Sequence, residues 1–307
     1  PVPAKRKVLR HKQALIAKLN ENRPSLVNRG GGVLDLSGKI FRKSAVGPML
    51  VFYLTIDVRD AMGANLINTA LEEIAPDIAK LTAGDIRMCI LSNYADKRLV
   101  HASCTIRPET LAKEGQAGEE VVERILAANA LAEVDPYRAV TQNKGIMNGV
   151  DAVAIATGND WRAVEAGAHS WACKKGKIRP LSSWTKDSDG SLHGKLEMPL
   201  AVGIVGGATR VHPLAQFSIR MMQIRTSREL AEIIACVGLA QNLAALRALS
   251  TEGIQKGHMA LHARQIAITA GAQGADIDRV AETMCKEGNI AVDHAKEILK
   301  RNEITNS

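Results

Sequence analysis

The chain has 307 residues, of which 46% are hydrophobic and 3% aromatic, with a formal net charge of +8 and a pI of about 9.3. This length allows two domains or one large domain with an insertion, and the apolar content supplies a core built from Ala, Leu, Ile, Val and Met. The basic balance calls for an acidic partner, and with three Phe, three Tyr and three Trp there is little material for base stacking, which disfavours nucleic acid and leaves a phosphorylated small molecule. Cys89, Cys104, Cys173, Cys236 and Cys285 have no Cys-x-x-Cys spacing, so the expectation is reduced thiols in a cytoplasmic protein, with no zinc site and no disulfide frame. No apolar run of about 18 residues reads as a membrane span, and no signal peptide is visible.

Residues 5–20 alternate basic and apolar positions (Val8, Leu9, Leu15, Ile16, Leu19) and predict a surface helix stopped by Pro24. Gly30, Gly31 and Gly32 predict a loop of close backbone approach or sharp turning, and Val33–Leu36 a short strand. Met49–Val58, rich in β-branched and aromatic residues, predicts the clearest strand. It runs into Arg59-Asp60-Ala61-Met62-Gly63-Ala64-Asn65 and then a helix over 66–81, kinked or divided at Pro76. Strand, glycine turn and helix together present N–H groups to an anion, although an ordinary βα turn has the same pattern. Segments 87–91 and 99–106 predict two more strands, joined through Ser92, Asn93 and Tyr94. Residues 1–106 therefore read as a small α+β unit with helices over one face of an antiparallel sheet.

From Gly118 the texture changes to long Ala-rich helices over 119–133, 138–156 and 161–174. Segment 181–200 predicts two strands around a turn at 186–190, followed by a glycine-rich apolar loop, Val202–Thr209. Helices over 213–223, 227–249, 258–270, 277–286 and 291–301 complete the chain.

The centre of the chain is the stretch from Asn143 to Trp161. Val150–Ala156 is apolar apart from Asp151 and predicts a buried helix with one polar face. Lys144, Asn148 and Asp151 fall at i, i+4 and i+7 and share that face. A lysine among small apolar neighbours needs a partner, and Asp160 is the natural one, either as a functional pair or as a structural ion pair or N-cap. His258 and His262 stand at i and i+4, but Met259 replaces the Glu that a zinc motif requires, so no metal is expected. His258 reads as a proton donor at a helix start or as a plain surface histidine. Gln241 and Asn242, within an apolar helix, need buried partners or a substrate. Arg138 at a helix start opposes the helix dipole, which an anion-binding role explains, although a solvated arginine is the default reading.

Together these segments resemble class II 3-hydroxy-3-methylglutaryl-coenzyme A (HMG-CoA) reductases. The resemblance rests on Asp60-Ala61-Met62-Gly63-Ala64-Asn65, Ile90–Asn93, Asp135-Pro136-Tyr137-Arg138, Asn143–Asn148, Gly158–Gly167, Gly206–Thr209 and Gly257–His262, in the family's order over nearly the whole chain. It implies a helix-rich large domain with an inserted ferredoxin-like small domain and a C-terminal helical flap. The corresponding division is 1–106 for the nicotinamide cofactor, 107–254 for the acyl-CoA and 255–307 for the flap.

The implied reaction is a four-electron reduction of HMG-CoA to mevalonate and free coenzyme A, or its reverse, in isoprenoid metabolism. Lys144 would hold the thioester oxygen, Asp160 would orient Lys144, and His258 would protonate the departing thiolate. Arg138, Asn148 and Gln241 would contact the acyl-CoA, while Asp60, Met62, Gly63, Asn65 and Asn93 would line the cofactor site. Arg23 stands before the glycine loop where NADH-using members carry an aspartate, which leans the cofactor toward NADPH, with Glu21 nearby as the position that would reverse it. The resemblance further implies a homodimer or larger homo-oligomer, and no nucleic acid or membrane partner. The family's Glu-Glu-Pro-Ser motif has no match, and the expectation is a missing N-terminal segment. A coenzyme A-binding protein without turnover is the alternative, but it has no need of Lys144, Asp160 and His258 together.

Overall fold

The computed structural model describes residues 1–112, 115–251 and 253–305, with backbone alone for 254–258, 260–261 and 302–305. The elements run α1 (Val2–Arg10), α2 (Lys12–Glu21), α3 (Pro24–Asn28), β1 (Gly32–Phe41), β2 (Met49–Asp57), α4 (Ala64–Thr82), β3 (Leu99–Ile106), α5 (Pro108–Leu111) and α6 (Gly118–Val134). They continue with α7 (Pro136–Ala156), α8 (Trp161–Ala172), β4 (Ser182–Lys186), β5 (Leu192–Pro199), α9 (Gly207–Val211), α10 (Pro213–Met221), α11 (Ser227–Ser250), α12 (Ile254–Thr269), α13 (Asp276–Glu287) and α14 (Val292–Thr305). The chain is thus mixed helix and sheet. It forms two compact units, one of Pro1–Ser103, Ile146–Ser182 and Lys195–Leu239, the other of Cys104–Gly145, Ser183–Gly194 and Ala240–Ser307.

In the first unit β1 and β2 pair antiparallel, with an irregularity between Val33 and Asp35 that leaves Leu34 exposed. One face of this ribbon buries Val33 and Leu36 against Val8, Leu15, Ile16, Leu19, Ala70 and Ile74, contributed by α1, α2 and α4. The amino-terminal segment is therefore core-forming and is two helices, where one surface helix was expected. His11 divides them because its ring Nδ1 donates to Lys7 O at 2.9 Å, satisfying a helix-end carbonyl. Pro24 opens α3 at its first turn, where the missing N–H costs nothing. Pro76 lies inside α4 without ending it.

The strand expected over 87–91 does not form: the segment is unpaired, with Ile86, Met88 and Ile90 exposed. β3 joins a separate three-stranded sheet in the order β3-β5-β4, so the antiparallel sheet within residues 1–106 reduces to the β1–β2 ribbon. Alternation alone cannot say which strand a strand will pair with.

In the second unit the C-terminal helices α12, α13 and α14 bury Ala263, Ala267, Val280, Ala281, Met284, Ala295 and Ile298. α13 ends on Gly288 in the left-handed conformation (φ 68°). Among the described residues α11 has the length and composition to cross a membrane, although no run of that kind was expected. Its buried positions Leu230, Ile234, Ala235, Leu239, Asn242 and Leu246 recur at helical spacing, as in a core helix.

Candidate active site

The turn after β2 is built by the chain's own polar groups. Arg59 adopts φ 52°, held there by its N–H donating to Asp57 Oδ1 at 2.9 Å. Asp60 Oδ1 accepts from Ser227 N at 2.8 Å, placing a carboxylate at the N-terminus of α11. Asp60 O accepts from Ile204 N at 2.9 Å, and Ala61 bridges Val205. Gly63, with φ 100°, opens α4. Met62 is half-buried, and Asn65 and Asn93 are exposed. Asp60 thus builds the scaffold of this turn.

Arg98 holds the turn from below. Its guanidinium donates to Ala61 O and Met62 O, both at 3.1 Å, to Val202 O at 2.5 Å and to Ser227 Oγ at 3.4 Å. Burial lowers its pKa from the usual range, against the opposing pull of Asp57 and Asp60. Asn159 clamps the same place from another side: its Oδ1 accepts from Gly203 N at 2.7 Å and its Nδ2 donates to Gly203 O at 3.1 Å.

Gly203 has no room for a side chain, since a Cβ would lie 2.3 Å from Met62 N and 2.7 Å from Ala61 C. Both are backbone atoms and cannot swing aside. Gly203→Ala is expected to cost about 3 kcal/mol in urea unfolding. Gly206→Ala, with φ 82° but open space around it, is expected to cost about 1 kcal/mol.

Arg23 is committed inside the fold. Its NH1 donates to Leu19 O at 2.7 Å and its NH2 pairs with Glu73 at 2.8 Å, leaving the side chain 10% exposed. Burial pushes the Glu73 carboxyl up, but hydrogen bonds from Asn22 and Arg23 outweigh it and leave it below the usual range. The guanidinium pins α2 to α4, so the expectation of a free Arg23 facing a ribose phosphate is corrected. The cation beside the glycine loop is Arg59, which donates to Gly30 O and lies 3.7 Å from Asp57.

α7 carries Arg138, Lys144 and Asn148. Lys144 and Asn148 are exposed, and Lys144 has no ion pair among the described residues, so the buried, paired lysine is corrected. The reason is that Val150 and Ala154 bury one face of α7 while Ile155 on the other is 58% exposed. Asp160 is the N-cap of α8, accepting from Ala163 N at 3.1 Å. On the next turns Asp151 of α7 meets Glu165 of α8, and burial, then the Glu165 hydrogen bond and charge, raise the Asp151 carboxyl to about 7.

Arg138 is partly desolvated, which lowers its pKa, and no acidic group among the described residues compensates it. Its NH2 reaches Gln142 Oε1 at 3.5 Å, and the buried Gln142 in turn donates to Asn129 Oδ1 at 3.3 Å. Asn242 is a core residue whose Oδ1 accepts from Trp184 Nε1 at 2.7 Å, while its neighbour Gln241 is half-buried. The His258 side chain lies outside the described residues; the helix that contains it begins at Ile254, so His258 is not at a helix start.

The sequence profile of the hydroxymethylglutaryl-coenzyme A reductases matches residues 2–263. The chain belongs to the HMG-CoA reductase family. It is 50% identical over 301 residues to 3-hydroxy-3-methylglutaryl-coenzyme A reductase of Archaeoglobus fulgidus, covering 98% of this chain and 67% of that protein. A probable reductase of Borreliella burgdorferi is 37% identical over 246 residues, 79% of this chain and 56% of that one. The class II reductase of Streptococcus pneumoniae, solved with NADPH in open conformations, superposes with a TM-score of 0.78 at 41% identity, over 99% of this chain and 73% of that one.

Within this reductase chain, sequence reasoning missed Arg98, Asn159 and Glu165. Only the glycine within the apolar run Val202–Thr209 signalled the close approach at Gly203. Arg98 has no local signal, because its partners are distant in sequence.

Proposed function

We propose that this chain carries the substrate and cofactor sites for reduction of HMG-CoA to mevalonate and coenzyme A by a nicotinamide cofactor. The observation that carries the reading is Arg138: a partly desolvated guanidinium with no acidic partner among the described residues, on the same helix as the exposed Lys144 and Asn148. A cation left unpaired in this way favours an anionic ligand, and HMG-CoA supplies carboxylate and phosphates. Residues 1–106 form the ferredoxin-like cofactor domain, 107–254 the acyl-CoA domain, and 255–307 the flap that delivers His258.

Lys144 stabilises the oxyanion that develops on the thioester, Asp160 orients it, and His258 protonates the thiolate. Arg138, Asn148 and Gln241 hold the acyl-CoA. Met62, Gly63, Asn65 and Asn93 line the cofactor site on the scaffold that Asp60 and Arg98 build. Arg59 takes the phosphate-facing role first given to Arg23, which retains NADPH as the preferred cofactor. The nicotinamide supplies hydride when bound. The protein acts in the cytoplasm as a homodimer or larger assembly, without a membrane or nucleic-acid partner.

The test is absorbance at 340 nm with HMG-CoA and either NADPH or NADH, using protein expressed from its complete reading frame. Consumption of NADPH supports the reading; no consumption of either cofactor by folded protein that still binds coenzyme A would favour a non-catalytic binding protein. Arg138→Met is expected to raise the KM for HMG-CoA by about 10- to 100-fold, the worth of one charge-assisted contact, with a smaller change in the cofactor KM.

A further inference from the structure

Two acids close to Arg138 in sequence are spent elsewhere. Asp135 gives its carboxylate to the start of α7, accepting from Tyr137 N at 3.3 Å and from Arg138 N at 3.1 Å. Glu133, near the end of α6, accepts from Asn129 Nδ2 at 3.0 Å. What the guanidinium meets is an amide. Arg138 NH2 donates to Gln142 Oε1 at 3.5 Å, one turn further along α7, and Gln142 Nε2 donates to Asn129 Oδ1 at 3.3 Å on α6. Gln142 and Asn129 are each only 2% exposed.

This run of hydrogen bonds has one possible direction. A guanidinium only donates and a carboxylate only accepts. Glu133 therefore turns the nitrogen of the Asn129 amide toward itself and the oxygen toward Gln142. Asn129 in turn takes the nitrogen of Gln142 and aims Gln142 Oε1 at Arg138. Reversing either amide would set donor against donor or acceptor against acceptor, where burial makes the lost bonds expensive.

We infer that Gln142, held by Asn129, is a positioning residue that orients the Arg138 guanidinium toward the anionic substrate and leaves its charge unspent. An acid in the place of Gln142 would hold Arg138 as firmly but would neutralise it, as Glu73 does to Arg23. A neutral acceptor restrains one nitrogen and leaves the positive charge to the ligand. An arginine placed in advance also loses less side-chain freedom on binding. The inference rests on the assignment of Arg138 to HMG-CoA made above.

The experiment is a double-mutant cycle on protein expressed from its complete reading frame, read by titration calorimetry with HMG-CoA and NADPH as separate ligands. Gln142→Glu keeps the shape of the side chain and sets a negative charge on Arg138. It is expected to weaken HMG-CoA binding about tenfold and to leave the NADPH Kd within about twofold of wild type. Gln142→Met removes the acceptor without adding charge and is expected to weaken HMG-CoA binding about three- to tenfold. In an Arg138→Met background, which leaves no guanidinium to place, Gln142→Met is expected to change the HMG-CoA Kd by less than about twofold.

Tight HMG-CoA binding by Gln142→Glu overturns the inference, and this variant decides the matter even if Gln142→Met does not fold. Equal weakening of both ligands, or a Gln142→Met effect as large without Arg138 as with it, also overturns it, because a merely structural role predicts these. In those cases Arg138→Met alone still weakens HMG-CoA binding and the reading of Arg138 stands. An HMG-CoA Kd unchanged in Arg138→Met would instead remove that reading, and the inference with it.

Discussion

Lys144→Ala is expected to lower kcat about 10²- to 10³-fold while shifting the unfolding free energy by less than about 0.5 kcal/mol. The two halves of that result have separate causes. The side chain is exposed and makes no ion pair among the described residues, so its removal leaves no buried group unsatisfied. Its charge is needed only when negative charge develops on the thioester oxygen, so its loss falls on the transition state and not on ground-state binding. The cofactor KM should stay within about threefold of wild type, because Lys144 lies outside the Asp60–Asn65 turn. Lys144→Arg restores charge but not its point-like placement and should recover only part of the rate. Single-turnover kinetics with NADPH would measure this directly. A kcat unchanged in Lys144→Ala would remove the oxyanion role.

Arg98→Met is expected to destabilise the chain by about 3–5 kcal/mol in urea unfolding and to weaken nicotinamide cofactor binding with it. The guanidinium satisfies three carbonyls, those of Ala61, Met62 and Val202, and methionine can satisfy none. Those carbonyls would be left partly buried without donors, and Asp60 would lose the neighbouring positive charge. Arg98→Lys keeps the charge but can reach fewer of the carbonyls, so roughly half the loss should return. Equal stability of Arg98→Met and wild type would show that the 60–63 turn holds itself through Asp60 and Gly203. The contrast with Lys144 is physical: Arg98 is desolvated and saturated with partners, whereas Lys144 is exposed and has no ion pair among the described residues.

Helix and strand periodicity located most of the elements that these side chains stand on. α6, α7, α8 and α11 and the β4–β5 hairpin follow from runs of apolar residues at the right period, which is a local property. The segment 87–91 has the same local pattern as β3, yet only β3 finds a strand to pair with. Helix starts are less visible: α12 begins at Ile254, before His258, because no side-chain cap marks the place. The polar face of α7 was visible, but whether Lys144 on it is buried depends on what packs there.

What the sequence by itself determined is the family, the order of the elements, and the residue types available for the chemistry. Motifs such as Asp60–Asn65 and Asn143–Asn148 are contiguous, so their identity survives without knowledge of the fold. The tertiary structure alone decided which charges are free to act. Arg23 and Arg59 are both arginines near Gly30–Gly32, but Arg23 meets Glu73, 50 residues away, and is consumed as a tie between helices. Arg98 reaches Val202, 104 residues away, and Asp151 of α7 feels the charge of Glu165 on α8. Desolvation and partner geometry set the worth of each charge, and both arise only when distant segments are brought into contact.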